Sequence, residues 1–274
     1  PTPGFYWGFS TANQLITSPP LIFDAQVAIL TTDGALTGLP RFSPTKLVET
    51  YEFRAIGRTP AAAGQHRHVA YLASDDFNLY AVDLREGELI WRYASGSPIK
   101  RKPEVTDRDV YVAPERVGLR RVDRATGRLV WTNREVNRFL ACNDEYVYAA
   151  DDNGFLFVLD HRRGSTLAKL NLAEWIITLP NEWTDRIYLA AHDGQVLCLR
   201  HQDLPTSRLM KALPDWAAPK IEKKKPPEKK KDEEEKKDDD KKKDDDARAR
   251  PGLAPRAGVA APRPALAARQ APDA

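Results

Sequence analysis

The sequence predicts an all-β fold, a β-propeller of four-stranded blades. Three observations carry that prediction: a unit recurring about every 40 residues, apolar alternation inside it, and a turn of Asp-Gly or Asn-Gly type at a fixed place. The unit is read from Val27-Ala-Ile-Leu-Thr-Thr-Asp-Gly34, Val69-Ala-Tyr-Leu-Ala-Ser-Asp-Asp76, Val110-Tyr-Val-Ala113, Val147-Tyr-Ala-Ala-Asp-Asp-Asn-Gly154 and Ile187-Tyr-Leu-Ala-Ala-His-Asp-Gly194. These begin 42, 41, 37 and 40 residues apart, so five blades are visible.

Taken in order, each copy alternates for about five positions, turns, and resumes with a second apolar run such as Phe155-Leu-Phe-Val-Leu159 or Gln195-Val-Leu-Cys-Leu199. That is a β-hairpin, because Asp-Gly and Asn-Gly supply the backbone twist a tight hairpin needs. A further strand follows in most copies after a second glycine turn, at Gly87, Gly127 and Gly164. Another precedes each hairpin and is expected to end near a proline, at Pro19, Pro60, Pro103 and Pro180. Period-2 alternation disfavours helical repeats. The aromatic segment Phe5-Tyr-Trp-Gly-Phe9 reads as an outer strand, either of an upstream blade or paired with the fifth unit, whose own last strand is weak.

The organisation expected is propeller repeats over 1–205, a linker over 206–219 and two disordered segments. Residues 220–246 hold 12 Lys against 12 Asp plus Glu, and residues 247–274 are rich in Ala, Pro and Arg. Neither can bury enough apolar surface to offset chain entropy. The formal charge of +3 belongs to this tail: residues 247–274 carry +4, which leaves residues 1–219 at −1. A near-neutral propeller does not support nucleic-acid binding, which needs many cations facing phosphates. No apolar stretch reaches the roughly 18 residues of a membrane span.

Cys142 and Cys198 stand far apart in apolar runs and read as small buried hydrophobes, without metal-type spacing. His66 and His68 read as one strand face.

Two stretches, Ala81-Val-Asp83-Leu-Arg-Glu-Gly87-Glu-Leu-Ile-Trp91 and Val122-Asp123-Arg-Ala-Thr-Gly127-Arg-Leu-Val-Trp131, closely resemble the tryptophan-docking repeat of the quinoprotein (PQQ-like) propeller family. Physically, Asp83 and Asp123 close a strand, Gly87 and Gly127 supply positive φ, and Trp91 and Trp131 cover the gap between blades. Asp160 and Gly164 begin a third copy, but Ala168 replaces the tryptophan. Family members close with seven or eight blades, so the resemblance implies a chain lacking upstream blades. A complete five-bladed ring is the rival.

The family includes quinone-dependent dehydrogenases and the propeller lipoprotein of the outer-membrane protein assembly machinery. The dehydrogenases use adjacent cysteines, a calcium site and an aspartate base. This sequence has no adjacent cysteines, and Asp75-Asp76 and Asp151-Asp152 fall at hairpin turns, where they read as turn formers. Neither PQQ nor calcium is expected. The resemblance therefore implies a non-catalytic scaffold that binds a protein partner in the periplasm or cell envelope. A degenerate PQQ-dependent dehydrogenase is the alternative function and the cytoplasm the alternative location, since no leader is visible.

In a propeller the first strand of every blade lines the central channel. Arg58 and Arg101 each precede a proline by two positions, and Arg138 holds the equivalent place in the fourth unit. With Lys100 and Lys102 they are expected to form a positive channel mouth for an acidic loop or extended peptide.

Overall fold

A computed structural model of the chain describes residues 8–42, 49–172, 174–175 and 177–213. The Phe5–Trp7 part of the aromatic segment and everything after 213 lie outside the described residues. Nineteen strands, and no helix among the described residues, form five antiparallel sheets in chain order.

The first blade holds β1 (Leu21–Phe23), β2 (Gln26–Leu30), β3 (Ala35–Pro40) and β4 (Tyr51–Arg54). The second holds β5 (Gly64–His66), β6 (Val69–Ala73), β7 (Asn78–Asp83) and β8 (Leu89–Ala94). The third holds β9 (Glu104–Val105), β10 (Asp109–Val112), β11 (Leu119–Asp123) and β12 (Leu129–Asn133). The fourth holds β13 (Arg138–Cys142), β14 (Tyr146–Ala150), β15 (Phe155–Asp160) and β16 (Thr166–Asn171). The fifth holds only β17 (Ile177–Leu179), β18 (Ile187–Ala190) and β19 (Val196–Leu199).

The hairpin aspartates earn their positions through hydrogen bonds. Asp151 Oδ1 accepts from the amides of Asn153 and Phe155, both at 2.9 Å, and Asp76 Oδ1 accepts from Asn78 N at 3.0 Å. Second strands of the inner blades are buried on both faces, as at every residue of β6 and β10, because neighbouring blades cover both sides of those sheets, whereas β2 and β18 of the first and fifth blades are buried only in part. Outer strands splay into solvent, and β16 is exposed along its whole length. Four cores join successive blades, built around Leu30 and Leu72, Tyr71 and Val110, Tyr111 and Phe157, and Leu140 with Leu189. None among the described residues joins the first blade to the fifth.

Aromatic clasps reinforce these joints. Trp91 on β8 donates Nε1–H to Arg124 O of the third blade at 3.0 Å, and Trp131 on β12 donates to His161 O of the fourth at 3.0 Å. The rings lie on Gly127 and Gly164, both with φ of +70°; a Cβ there would fall 2.6 Å and 2.4 Å from ring carbons. Only glycine satisfies both the positive φ and the close approach. Tyr51 on β4 completes the series, its ring against Gly87.

Three expectations need correction. Pro19, Pro60 and Pro103 come before the first strands rather than at their ends, and only Pro180 follows one. Proline has no N–H to give the ladder, so either flank serves. Among the described residues the fifth blade has no fourth strand, and residues 206–213, where a linker is expected, turn back onto the propeller. Cys198 is exposed, unlike buried Cys142, because β19 has no blade stacked on that face among the described residues.

Candidate functional site

The first strands of the third, fourth and fifth blades converge on a cavity of about 470 Å³, lined among others by Arg101, Lys102, Glu104, Asn137, Arg138 and Thr178. Arg101 and Lys102 stand in the loop entering β9, and Arg138 is the first residue of β13, so all three sit where the chain enters a first strand.

Each cation has an anionic partner. Arg138 Nη2 donates to Asp152 Oδ1 at 2.8 Å, Arg101 Nη2 reaches the same oxygen at 3.5 Å, and Asn137 donates to Oδ2. Arg101 Nη1 also donates to Asn137 O at 2.9 Å. Burial opposes ionisation of Asp152. The hydrogen bonds from Asn137 and Arg138 and the two guanidinium charges outweigh it and hold the carboxyl below its ordinary value. Asp152 remains 57% exposed, so its place on the arginines is open to exchange with another carboxylate.

Deeper in, charges alternate. Lys102 Nζ lies 2.9 Å from Glu104 and 3.5 Å from Glu182, whose other oxygen receives Lys211 Nζ at 2.6 Å. Glu182 Oε2 also accepts from Val105 N at 2.8 Å. Burial pushes Glu104 up, partly offset by Lys102, with Glu182 adding to the rise. Burial pulls Lys211 down, partly offset by Glu182.

The channel mouth expected from sequence is thus divided. The fold brings Arg101, Lys102 and Arg138 together. Lys100 pairs with Glu115 at 3.0 Å and does not line the cavity, and Arg58 lies exposed in the β4–β5 loop, also outside it. Of the expected cations, Lys100, Arg101, Lys102 and Arg138 each stand in an ion pair. In sequence Asp152 reads as a turn former and Glu104, Glu182 and Lys211 give no signal, because their meeting depends on contacts between residues 29 and 77 apart. Tyr51 was missed too, although Tyr51, Trp91 and Trp131 follow at 40-residue intervals.

A second cavity of about 110 Å³ lies near Asp109, Cys142 and His161. His161 Nε2 sits 3.1 Å from Tyr111 Oη and 3.3 Å from Asp109, which Arg121 holds at 2.8 Å. Burial pushes the Cys142 thiol up to about 12, so it stays protonated and is no nucleophile.

With this geometry in hand, comparison with known proteins is informative. The family model described as outer membrane protein assembly factor BamB matches residues 45–175 and 119–205, more than half of the chain. The chain belongs to this family.

BamB of Shewanella oneidensis is 24% identical over 182 residues, covering 63% of this chain and 44% of that protein. BamB of Kangiella koreensis is 31% identical over 108 residues, covering 37% of this chain and 27% of that protein. The chain therefore spans less than half the length of these curated relatives. The crystal structure of BamB from Moraxella catarrhalis superposes with a TM-score of 0.56 at 19% identity, over 72% of this chain and 61% of that one. The computationally designed Ika8 protein gives 0.51 at 15% identity, over 66% and 57%. At these identities the structural likeness speaks to the fold alone.

Proposed function

We propose that this chain is a non-catalytic β-propeller scaffold that binds protein partners in the cell envelope, in the assembly of outer-membrane proteins. The observation that carries this reading is the family match across residues 45–205, with curated relatives named as assembly factors. Those names do not favour a quinone-dependent dehydrogenase.

Arg101 and Arg138 form the contact point, taking a carboxylate of an acidic loop or extended peptide. Asp152 supports this by showing which group the pair accommodates: a carboxylate held from two sides, with an amide donor beside it. Guanidinium forks suit that recognition better than lysine ammonium groups.

Fluorescence anisotropy with an extended acidic peptide tests the site. Replacing both Arg101 and Arg138 by Gln is expected to weaken binding at least about tenfold, the loss of one charge-assisted hydrogen bond or more. Asp152→Asn removes the internal competitor and is expected to tighten binding about two- to fivefold, the range of an exposed ion pair. Unchanged affinity in the double variant would overturn the assignment.

A further inference from the structure

The chain does not stop at the fifth blade. After β19 it crosses back, and residues 204–212 run along the turns that link first to second strands. Arg138 and Asp144 flank β13, whose five residues rise about 17 Å, so these turns stand at the far end of the first strands from the arginine pair.

The returning segment bends at Met210 and Lys211 and is fastened by its backbone. Met210 N donates to Trp183 O at 2.8 Å, Asp107 N donates to Met210 O at 2.9 Å, and Ala212 N donates to Asp107 Oδ1 at 3.0 Å. Arg208 N donates to Asp185 Oδ1 at 3.0 Å. Met210 packs on the core shared by the third and fourth blades. Lys211 is only 3% exposed; its ammonium lies 2.6 Å from Glu182 and 4.6 Å from the centre of the Trp183 ring. Main-chain bonds along a short segment, one apolar pocket and one charge pocket are the parts of a peptide-recognition site.

Two features separate it from ordinary packing. The buried Lys211 ammonium rests on Glu182, which also faces Lys102 at 3.5 Å, and a buried ion pair often stabilises a fold no better than apolar side chains of similar volume, so its use here points to recognition of a cation. The attachment also lies outside the sheets: among the described residues the segment adds no strand to any sheet, makes the single bridge Thr184–Leu209, and leaves Leu209 57% exposed. Elements with few buried contacts open without global unfolding.

We infer that this end of the channel is a recognition site for a short, lysine-bearing segment of a partner protein, held here by the chain's own Leu209–Ala212. Asp107 and Trp183 supply the main-chain partners, Glu182 with Glu104 behind it receives the lysine, and the apolar pocket takes the residue before it. The site is chemically opposite to the arginine pair, and its failure leaves the acidic-peptide reading untouched.

The test uses the full chain and a labelled peptide of residues 207–213. Lys211→Glu sets a carboxylate against Glu182 and expels the resident segment. This variant is expected to bind the peptide at least tenfold more tightly than the unaltered chain does. It is expected to bind a Lys211→Met version of the peptide at least tenfold more weakly. Equal binding of both peptides, or of neither, overturns the proposal. Dimerisation of the Lys211→Glu chain in sedimentation would make a second copy the occupant and equally overturn it. Hydrogen exchange on the unaltered chain decides the matter if the variant does not fold. The Met210 and Ala212 amides are expected to exchange at least tenfold faster than those of Val110 and Val112; exchange in step with them marks a fixed part of the fold and ends the proposal.

Discussion

The aromatic clasp between blades can be dissected by a single methyl group. In Gly127→Ala the backbone must hold φ at +70°, and the new Cβ falls 2.6 Å from Cδ2 and 2.7 Å from Cε3 of Trp91. Carbon atoms rest about 3.5–4.0 Å apart, so the indole has to move and strain its hydrogen bond to Arg124 O. The left-handed backbone costs about 1–2 kcal/mol and the forced contact about 1–3, giving about 2–5 kcal/mol in total. Gly96→Ala is the control: φ is +71°, but its Cβ meets nothing within 4 Å, so only the backbone part, about 1–2 kcal/mol, applies. Urea unfolding followed by circular dichroism, at unchanged slope, measures both. With Trp91→Ala the methyl has nothing to strike, so the double variant is expected to be about 1–3 kcal/mol less destabilised than the sum of the singles. Equal losses in Gly127→Ala and Gly96→Ala, or simple additivity with Trp91→Ala, would refute the clasp.

Three further outcomes follow from the same structure. The Tyr51 hydroxyl is buried without a hydrogen-bond partner among the described residues, and burial, with Asp83 adding, pushes it up to about 12. Tyr51→Phe is therefore expected to be neutral or to stabilise by up to about 1 kcal/mol, whereas Tyr51→Ala loses the clasp on Gly87 and costs about 2 kcal/mol or more; urea midpoints check both. Cys198 is expected to react promptly with a thiol reagent in the native state. Cys142, 2% exposed and kept protonated by burial, reacts only on unfolding, so native titration reads one thiol per chain. A hydrogen bond from Arg85 holds Asp83 below its ordinary value, and one from Thr126 does the same for Asp123. Depressed folded-state values mean stability that is present above the ordinary carboxylate pKa of about 4 and lost as pH falls through the folded values. Thermal melts between pH 6 and 2 should drop below about pH 4, and Asp83→Asn with Asp123→Asn should flatten that drop.

Much of the fold was legible because its determinants are local and repeated. A hairpin needs alternation over five residues and a turn residue that tolerates its backbone, and both stand side by side at Val147–Gly154. The Asp83–Gly87–Trp91 spacing places an aspartate, a left-handed glycine and an indole on one connection, and the clasp follows because the same spacing recurs one blade on, where Trp91 meets Gly127 and Arg124 O. The arginine pair was legible for the same reason, since Arg101 and Arg138 occupy corresponding places in successive units.

Tertiary structure decided what local pattern could not. Which cations find partners depends on anions that folding brings near: Asp152, on a hairpin turn, pairs with Arg138 of its own blade and Arg101 of the preceding one, and Glu182 crosses 77 residues to reach Val105. The fate of residues 206–213 was likewise hidden. Their sequence reads as linker, and only the folded turns around Asp107 and Trp183 give Met210 and Lys211 their partners. A repeat fixes the blade because its energy is local, whereas a binding surface arises from side chains that folding brings together.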